Sequence, residues 1–497
     1  MSPRSSAASA NTWFRGCRPE VAATPEGRIL AVGPEARRAA GRDAEVVELG
    51  GEALPGLGDA HLHLMWMSRQ RLEVELGGTR SREEALRRVT RRAQKLPRGA
   101  WVIGRGWNND LWRDRAFPGR VELDQAAGGR PVILTRKDGH SAWVSTAALK
   151  AAGVDRDTAD PPGGVIDREP SGGPAGMVRE RALDLVRRVV PVPGEAEFDA
   201  ALAAVLRDLV RLGLTQVHTM DGPDLFAALQ RLHRGGGLPL RVTWHLPMHD
   251  LTHAERLGVR SGMGDVRLRI WGVKAFLDGS LGSRTAEMLG GSGVQTLPQP
   301  ELEELCRRCA KAELNVCLHA IGDGAVRRAL DALEPLQGAW PRWRPRVEHA
   351  QCIDAADVAR FAELGVIASM QPVHAVSDRE LADREWPGRT QNAYAWRPLQ
   401  AAGAVLAFGS DAPVEDASPL LGLSAATSWR REAGWHPELA LTRAQALRAY
   451  TWGVAYSAGM ERETGRLRPG LLCDLTVVDG EMVRATIVGG RVSWRAR

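Results

Sequence analysis

Two histidines stand one residue apart at the end of the stretch Pro55-Gly56-Leu57-Gly58-Asp59-Ala60-His61-Leu62-His63. On an extended strand, residues i and i+2 face the same way, so His61 and His63 can aim two imidazoles at one point. Neutral imidazole suits Zn2+ and other borderline divalent metals. A bare His-x-His also arises by chance, as two core or surface histidines. Its weight comes from downstream, where His218, Lys274, His319, His349, Gln371 and Asp411 stand at or near the ends of short apolar runs. Only five of the 66 basic residues are lysine, so a lysine inside an apolar run stands out.

The elements that would position these residues can be read from the same runs. The first ends at His63, and others cover 213–218, 240–246, 268–277, 315–319, 346–349, 365–371 and 404–411. Each is short and continuous, as in a parallel sheet buried on both faces. Amphipathic stretches at 198–212, 225–233, 301–313, 325–333 and 355–364 alternate with them as helices. Strand and helix repeated eight times make an α/β fold, the (β/α)8 TIM barrel, whose site is built at the C-terminal strand ends. Segments 28–33, 45–49, 474–478 and 485–494 read as short strands at the two ends of the chain. Neither pair holds a core alone. They predict a small composite β-sandwich domain over 1–53 and 460–497, with the barrel over 54–70 and 206–459. The gap after the first barrel strand, 71–205, is too long for a structureless loop. It contains its own strand-like run at 131–135 and is expected to be an inserted subdomain over the barrel mouth.

Composition narrows the class. The chain has 497 residues, 44% hydrophobic and 25% charged, and its +6 charge is spread along its length. That pattern argues against a nucleic-acid partner, and the lack of an 18-residue apolar run argues against a membrane span. Residues 1–11 lack the apolar region of a secretory signal. Six scattered cysteines are too few for a disulfide scaffold, which points to a cytoplasmic location. Cys306-x-x-Cys309, followed by Cys317 and His319, resembles a zinc site in spacing, but a helix at 301–313 explains the i, i+3 pair more simply. Gly104-x-Gly106 lacks the third glycine and the helix start of a dinucleotide site.

Several motifs together resemble the metal-dependent amidohydrolase superfamily, and in particular amidohydrolase family 3, its YtcJ-like and N-substituted formamide deformylase-like branch. They are the stretch ending in His61 and His63, Gly104-Arg105-Gly106-Trp107, Asp138-Gly139-His140, Asp278-Gly279-Ser280-Leu281-Gly282-Ser283-Arg284-Thr285-Ala286, His319-Ala320-Ile321-Gly322-Asp323, Glu348-His349-Ala350-Gln351, Gln371-Pro372 and Gly409-Ser410-Asp411-Ala412-Pro413-Val414. The resemblance runs from about residue 28 to the closing Pro469-Gly470 and Asp474-Leu475, with Cys473 where alanine is usual and Ser145 where relatives tend to have asparagine.

The resemblance implies one or two divalent metals, usually zinc. His61 and His63 would hold the first, and His319 and His349 the second. Asp411 would bind metal and handle protons, and Lys274 sits where the superfamily often carries a lysine carboxylated by CO2. Two metals about 3.5–4 Å apart can share a hydroxide and polarise a carbonyl, and a lysine carbamate would supply a bridging negative charge on a long arm. His140, in the insert, is expected to contact substrate, with Trp107, Arg284 and His374 as further pocket candidates. The expected activity is hydrolysis of a non-peptide carbon–nitrogen bond of a small molecule, by attack of metal-bound hydroxide with Asp411 as proton shuttle, in a chain that could be a homo-oligomer. A deaminase is the alternative enzyme. A non-catalytic regulatory or metal-binding protein on the same scaffold is the third reading, and retention of every metal-site candidate together with Asp411 argues against it.

Overall fold

The structure, a computed structural model, describes residues 10–496. The signal-peptide expectation falls mainly on residues 1–9, outside the described residues. The chain divides into two compact units, one reaching to Met65 and resuming over Leu202–Arg497, the other Trp66–Ala201. No described helix is long and apolar enough to cross a membrane.

The first unit is an α/β barrel of eight parallel strands: β1 (Leu57–Leu62), β2 (Leu214–Thr219), β3 (Arg241–Pro247), β4 (Leu268–Phe276), β5 (Asn315–Ala320), β6 (Arg346–His349), β7 (Ile367–Met370) and β8 (Leu406–Phe408). They pair in chain order from β1 to β8. The ring closes through Asp411 N to His61 O (2.7 Å) and His63 N to Ala412 O (2.8 Å). Gly409 permits that seam, because a Cβ there would lie 2.6 Å from the backbone nitrogen of His61.

Strand alternation sorts the side chains into two layers. Val273 and Ala275, Val316 and Leu318, and Val347 join the apolar layer under the helices. The alternate positions Lys274, Cys317, His319, Arg346 and Glu348 take the other face, the barrel interior, which is consequently rich in polar groups. This alternation explains why the site residues fall within apolar runs without breaking them.

Both ends of the chain contribute to one seven-stranded sheet, in the order Arg491–Arg495, Met482–Val488, Leu475–Asp479, Glu45–Pro55, Thr12–Arg18, Val21–Ala23, Ile29–Val32. It belongs to the same compact unit as the barrel, for a physical reason. Glu45–Pro55 runs straight into β1, and Gly56 N donates to Asp474 O (2.8 Å). The buried pair Arg241–Asp474 joins barrel strand and sheet through two bonds of 2.8 Å.

The second unit has a six-stranded sheet, in the order Gly164–Arg168, Pro174–Glu180, Ser141–Val144, Val132–Arg136, Val102–Trp107, Val74–Glu75. Its ends fall inside helices Leu64–Leu72 and Glu195–Arg211, a few residues earlier than the sequence-based limits 71 and 205.

Candidate metal centre and active site

Four histidines reach the C-terminal strand ends, each with one ring nitrogen held by an oxygen. His61 Nδ1 lies 2.7 Å from Glu348 Oε2, His63 Nδ1 3.4 Å from Asp221 Oδ1, and His349 Nδ1 2.8 Å from Gln371 Oε1. His319 differs, with Nε2 3.0 Å from Gly279 O. A ring nitrogen committed to an oxygen acceptor leaves the other with a lone pair for a metal. On this reading His61 and His349 offer Nε2 and His319 offers Nδ1, whereas His63 has a carboxylate at each ring nitrogen and gives up a proton from Nε2 before it can ligate. The rings are mutual neighbours: centroids are 5.5 Å apart for His61–His63, 4.8 Å for His61–His349 and 4.5 Å for His319–His349.

Asp411 is the hub. Its Oδ1 is 3.1 Å from His63 Nε2 and 3.6 Å from His61 Nε2, and its Oδ2 is 3.3 Å from His374 Nε2. Among the described residues two groups could each hold an ion, His61/His63/Asp411 and His349/His374/Asp411, with Asp411 common to both. The backbone is left-handed at His349 (φ 72°) and Asp411 (φ 61°). Such strain in non-glycine residues persists where surrounding structure holds it, and it clusters at functional sites.

Charge follows burial. Burial, then the charge of Lys274, lowers His61 to about 4 and His319 to about 3, so both imidazoles are neutral. Burial also opposes a proton on His63 and His374, but hydrogen bonds to Asp411, with Asp221 for His63 and Glu415 for His374, outweigh it and lift both to about 9. Burial works against ionised Asp411, yet bonds from His374 and His63 hold its carboxyl well below the usual range. Lys274 is 2% exposed, its Nζ has no hydrogen-bond partner, and burial lowers its pKa. An orphaned buried amine beside neutral imidazoles and an ionised carboxylate fits a centre that gains both a divalent cation and a further acid ligand.

A family model for the amidohydrolase family matches residues 45–493. The chain belongs to the amidohydrolase family. It is a hydrolase, and it is 32% identical to the putative amidohydrolase YtcJ of Bacillus subtilis (strain 168) over 94% of this chain and 92% of that one. It is 28% identical to the N-substituted formamide deformylase of Arthrobacter pascens, over 92% and 89%. Among solved structures it is similar to an uncharacterized metal-dependent hydrolase from Pyrococcus furiosus, with 29% identity, a TM-score of 0.76, and 95% and 98% of the two chains covered.

Not every sequence candidate of this amidohydrolase lies at the centre. Trp107 is a correction: it is fully buried in the core of the second unit, its indole donates to Leu134 O (2.8 Å), and it packs on Trp112 and Trp143. No face is left for a substrate. Trp107→Ala should destabilise that unit by about 3–5 kcal/mol, read as a lower denaturant midpoint for the unit's unfolding, with metal content unchanged. Arg284 turns to solvent and pairs with Glu385 (3.0 Å). His140 is exposed in the second unit, 3.0 Å from Glu180 Oε2. Ser145 caps helix Thr146–Ala152 and also binds Val132 N (2.8 Å). His218 sits in the barrel interior against Arg346 (2.8 Å). Cys306 and Cys309 are buried on the apolar face of helix Gln299–Lys311, and Cys317 faces His245 Nδ1 (3.1 Å), so the three share no metal site.

Several supports went unassigned in the sequence. Asp59, within the first motif, accepts from His61 N (2.9 Å) and from Ser410 N and Oγ (3.2 and 2.5 Å), which clamps β1 to the end of β8. Asp278 accepts from Ile321 N, Gly322 N and Glu287 N at 2.9–3.0 Å and so holds the turn after His319. Glu348 lay one residue before a recognised ligand candidate, and Asp221 only three after His218. Carboxylates inside or just after strand runs were the available signal.

Proposed function

We propose that this amidohydrolase cleaves a non-peptide carbon–nitrogen bond of amide type in a small molecule. The observation that supports this is that His61, His63, His349 and His374 bring their ring nitrogens together around one ionised carboxylate, Asp411, with the His319 ring 4.5 Å from that of His349. His61 and His63 would hold one divalent ion and His319 and His349 a second, with Asp411 between them and zinc favoured by the imidazole-rich set. Bound there, the ions would supply a Lewis acid for the carbonyl and a water acidic enough to react near neutral pH.

The rest of the reading concerns the chain's own groups. Asp411 accepts the proton given up by the attacking water and returns it to the leaving nitrogen. His374, with Nε2 on Asp411 and Nδ1 facing Glu415 (3.4 Å), keeps that carboxylate ionised. Lys274, as a neutral amine, would add to CO2 with loss of a proton, and the resulting carbamate would supply a further acid ligand for the metal. Six free, buried cysteines suit a reducing cytoplasm.

The test joins metal analysis to turnover. The wild-type chain loaded with zinc should hydrolyse members of a panel of N-acyl, N-formyl and ester substrates. His61→Ala should lose bound metal and all measurable turnover, because one imidazole fewer opens the coordination shell. Unchanged metal stoichiometry in that variant would remove His61 from the ligand set. Activity on amidine-type substrates alone would favour deamination.

A further inference from the structure

Below the histidines lies an ion pair that the reaction itself does not use. Arg346 and Glu348, two apart on β6, both have fully buried side chains. Glu348 Oε1 is 2.8 Å from Arg346 Nε, and Oε2 receives both Arg346 NH2 (3.0 Å) and His61 Nδ1 (2.7 Å). The guanidinium is fixed from three other strands, by His218 Nδ1 on β2 (2.8 Å), Ala60 O on β1 (2.7 Å) and Ser369 Oγ on β7 (2.9 Å). His349 is backed by a neutral amide and His63 by Asp221 at the longer 3.4 Å. Among the four braced histidines, His61 alone has a fully buried carboxylate with its own buried cation.

A buried ion pair is weak evidence for stability, since apolar residues of similar volume often do as well. This one performs a task that apolar residues could not. Arginine has donors only, in a rigid fork. One terminal nitrogen of the fork donates to Oε2, and Nε lies 2.8 Å from Oε1 as an ion-pair contact, so the cation draws the carboxylate to the side from which Oε2 reaches His61. Glu348 Oε2 at 2.7 Å from Nδ1 competes for the single proton of His61 against Asp411 Oδ1 at 3.6 Å from Nε2, so the proton sits on Nδ1 and Nε2 keeps its lone pair.

We infer that Arg346 and Glu348 are positioning residues that lock His61 in the Nδ1–H tautomer and thereby set metal affinity at the His61/His63 position. The inference rests on the metal-centre reading above, although the tautomer exists in the metal-free chain and can be read without it.

Glu348→Gln is the discriminating variant. Arg346 demands an oxygen, so the glutamine carbonyl turns to the guanidinium and its NH2 faces His61. Nδ1 must then accept, and the proton moves to Nε2, where it blocks ligation. In metal-free protein labelled with 15N-histidine, His61 should give the Nδ1–H pattern in the wild type and the Nε2–H pattern in Glu348→Gln. Zinc affinity should fall about 10–100-fold, as for loss of an outer partner of a histidine ligand, with far-ultraviolet circular dichroism unchanged. Equal zinc affinity and an unchanged tautomer in a folded Glu348→Gln chain would overturn the inference. If that variant does not fold, the wild type decides: an Nε2–H pattern for His61 overturns it and an Nδ1–H pattern supports it. Failure of the wild-type chain to take up zinc would instead overturn the metal-centre reading, and the tautomer would still test the ion pair.

Discussion

Asp411→Asn is expected to keep at least one metal ion and to lose turnover by about 10²–10⁴-fold, the range for a positioned acid or base. Asparagine has the shape of aspartate and can still accept a bond from His63 or His374 through its amide oxygen. It cannot take up a proton and return it. In the native chain the carboxylate is held ionised by hydrogen bonds from both histidines against the cost of burial, so it is ready to accept. A second consequence separates the proton role from a scaffold role. Asp411 N is tied to His61 O across the barrel seam, and that backbone bond survives the substitution. Folding and metal loading measured beside turnover should therefore show an intact, loaded and slow enzyme. Near-normal turnover in that state would reject the proton shuttle.

Lys274→Ala should lose the second metal and with it nearly all activity. The argument is electrostatic. Neutral histidines leave two dications with little negative charge beyond Asp411, and the buried amine, which has no hydrogen-bond partner, occupies the place where another carboxylate would balance them. A short carboxylic acid in solution should restore part of the activity to Lys274→Ala by filling the vacated volume. In the wild type, mass analysis of the intact site should show an added CO2. A plain ammonium on Lys274 with both metals in place would reject the carbamate.

How much could be read from residues alone depended on which physical signal each feature leaves. The eight barrel strands were legible because parallel strands buried on both faces are continuous apolar runs, and the helices between them have a 3.6-residue period. His61, His63, His319, His349 and Asp411 were legible because they stand at the ends of those runs, inside motifs that resemble a known family. Asp59 and Glu348 were not assigned, because their partners are distant in the sequence: Ser410 lies 351 residues from Asp59, and Glu348 lies 287 from His61. Spacing within a motif carries no trace of such pairings. Trp107 misled for a related reason. It sits in a recognised motif, but its burial is decided by Trp112, Trp143 and the carbonyl of Leu134.

The terminal sheet imposes an order on synthesis. Its central strand, Glu45–Pro55, is flanked by Thr12–Arg18 on one side and Leu475–Asp479 on the other. As the chain emerges from the ribosome, Glu45–Pro55 appears early and has only its N-terminal neighbour to pair with. Its other edge stays open while more than 400 residues are translated, and an unpaired edge invites pairing with other chains. The second unit is one continuous segment and needs nothing made later, so it can fold during that wait. The barrel can assemble strand by strand, but the sheet beneath it is completed only when the last strands arrive. A ribosome stalled shortly before residue 475 would hold a chain with every candidate metal ligand already made and one sheet edge still exposed.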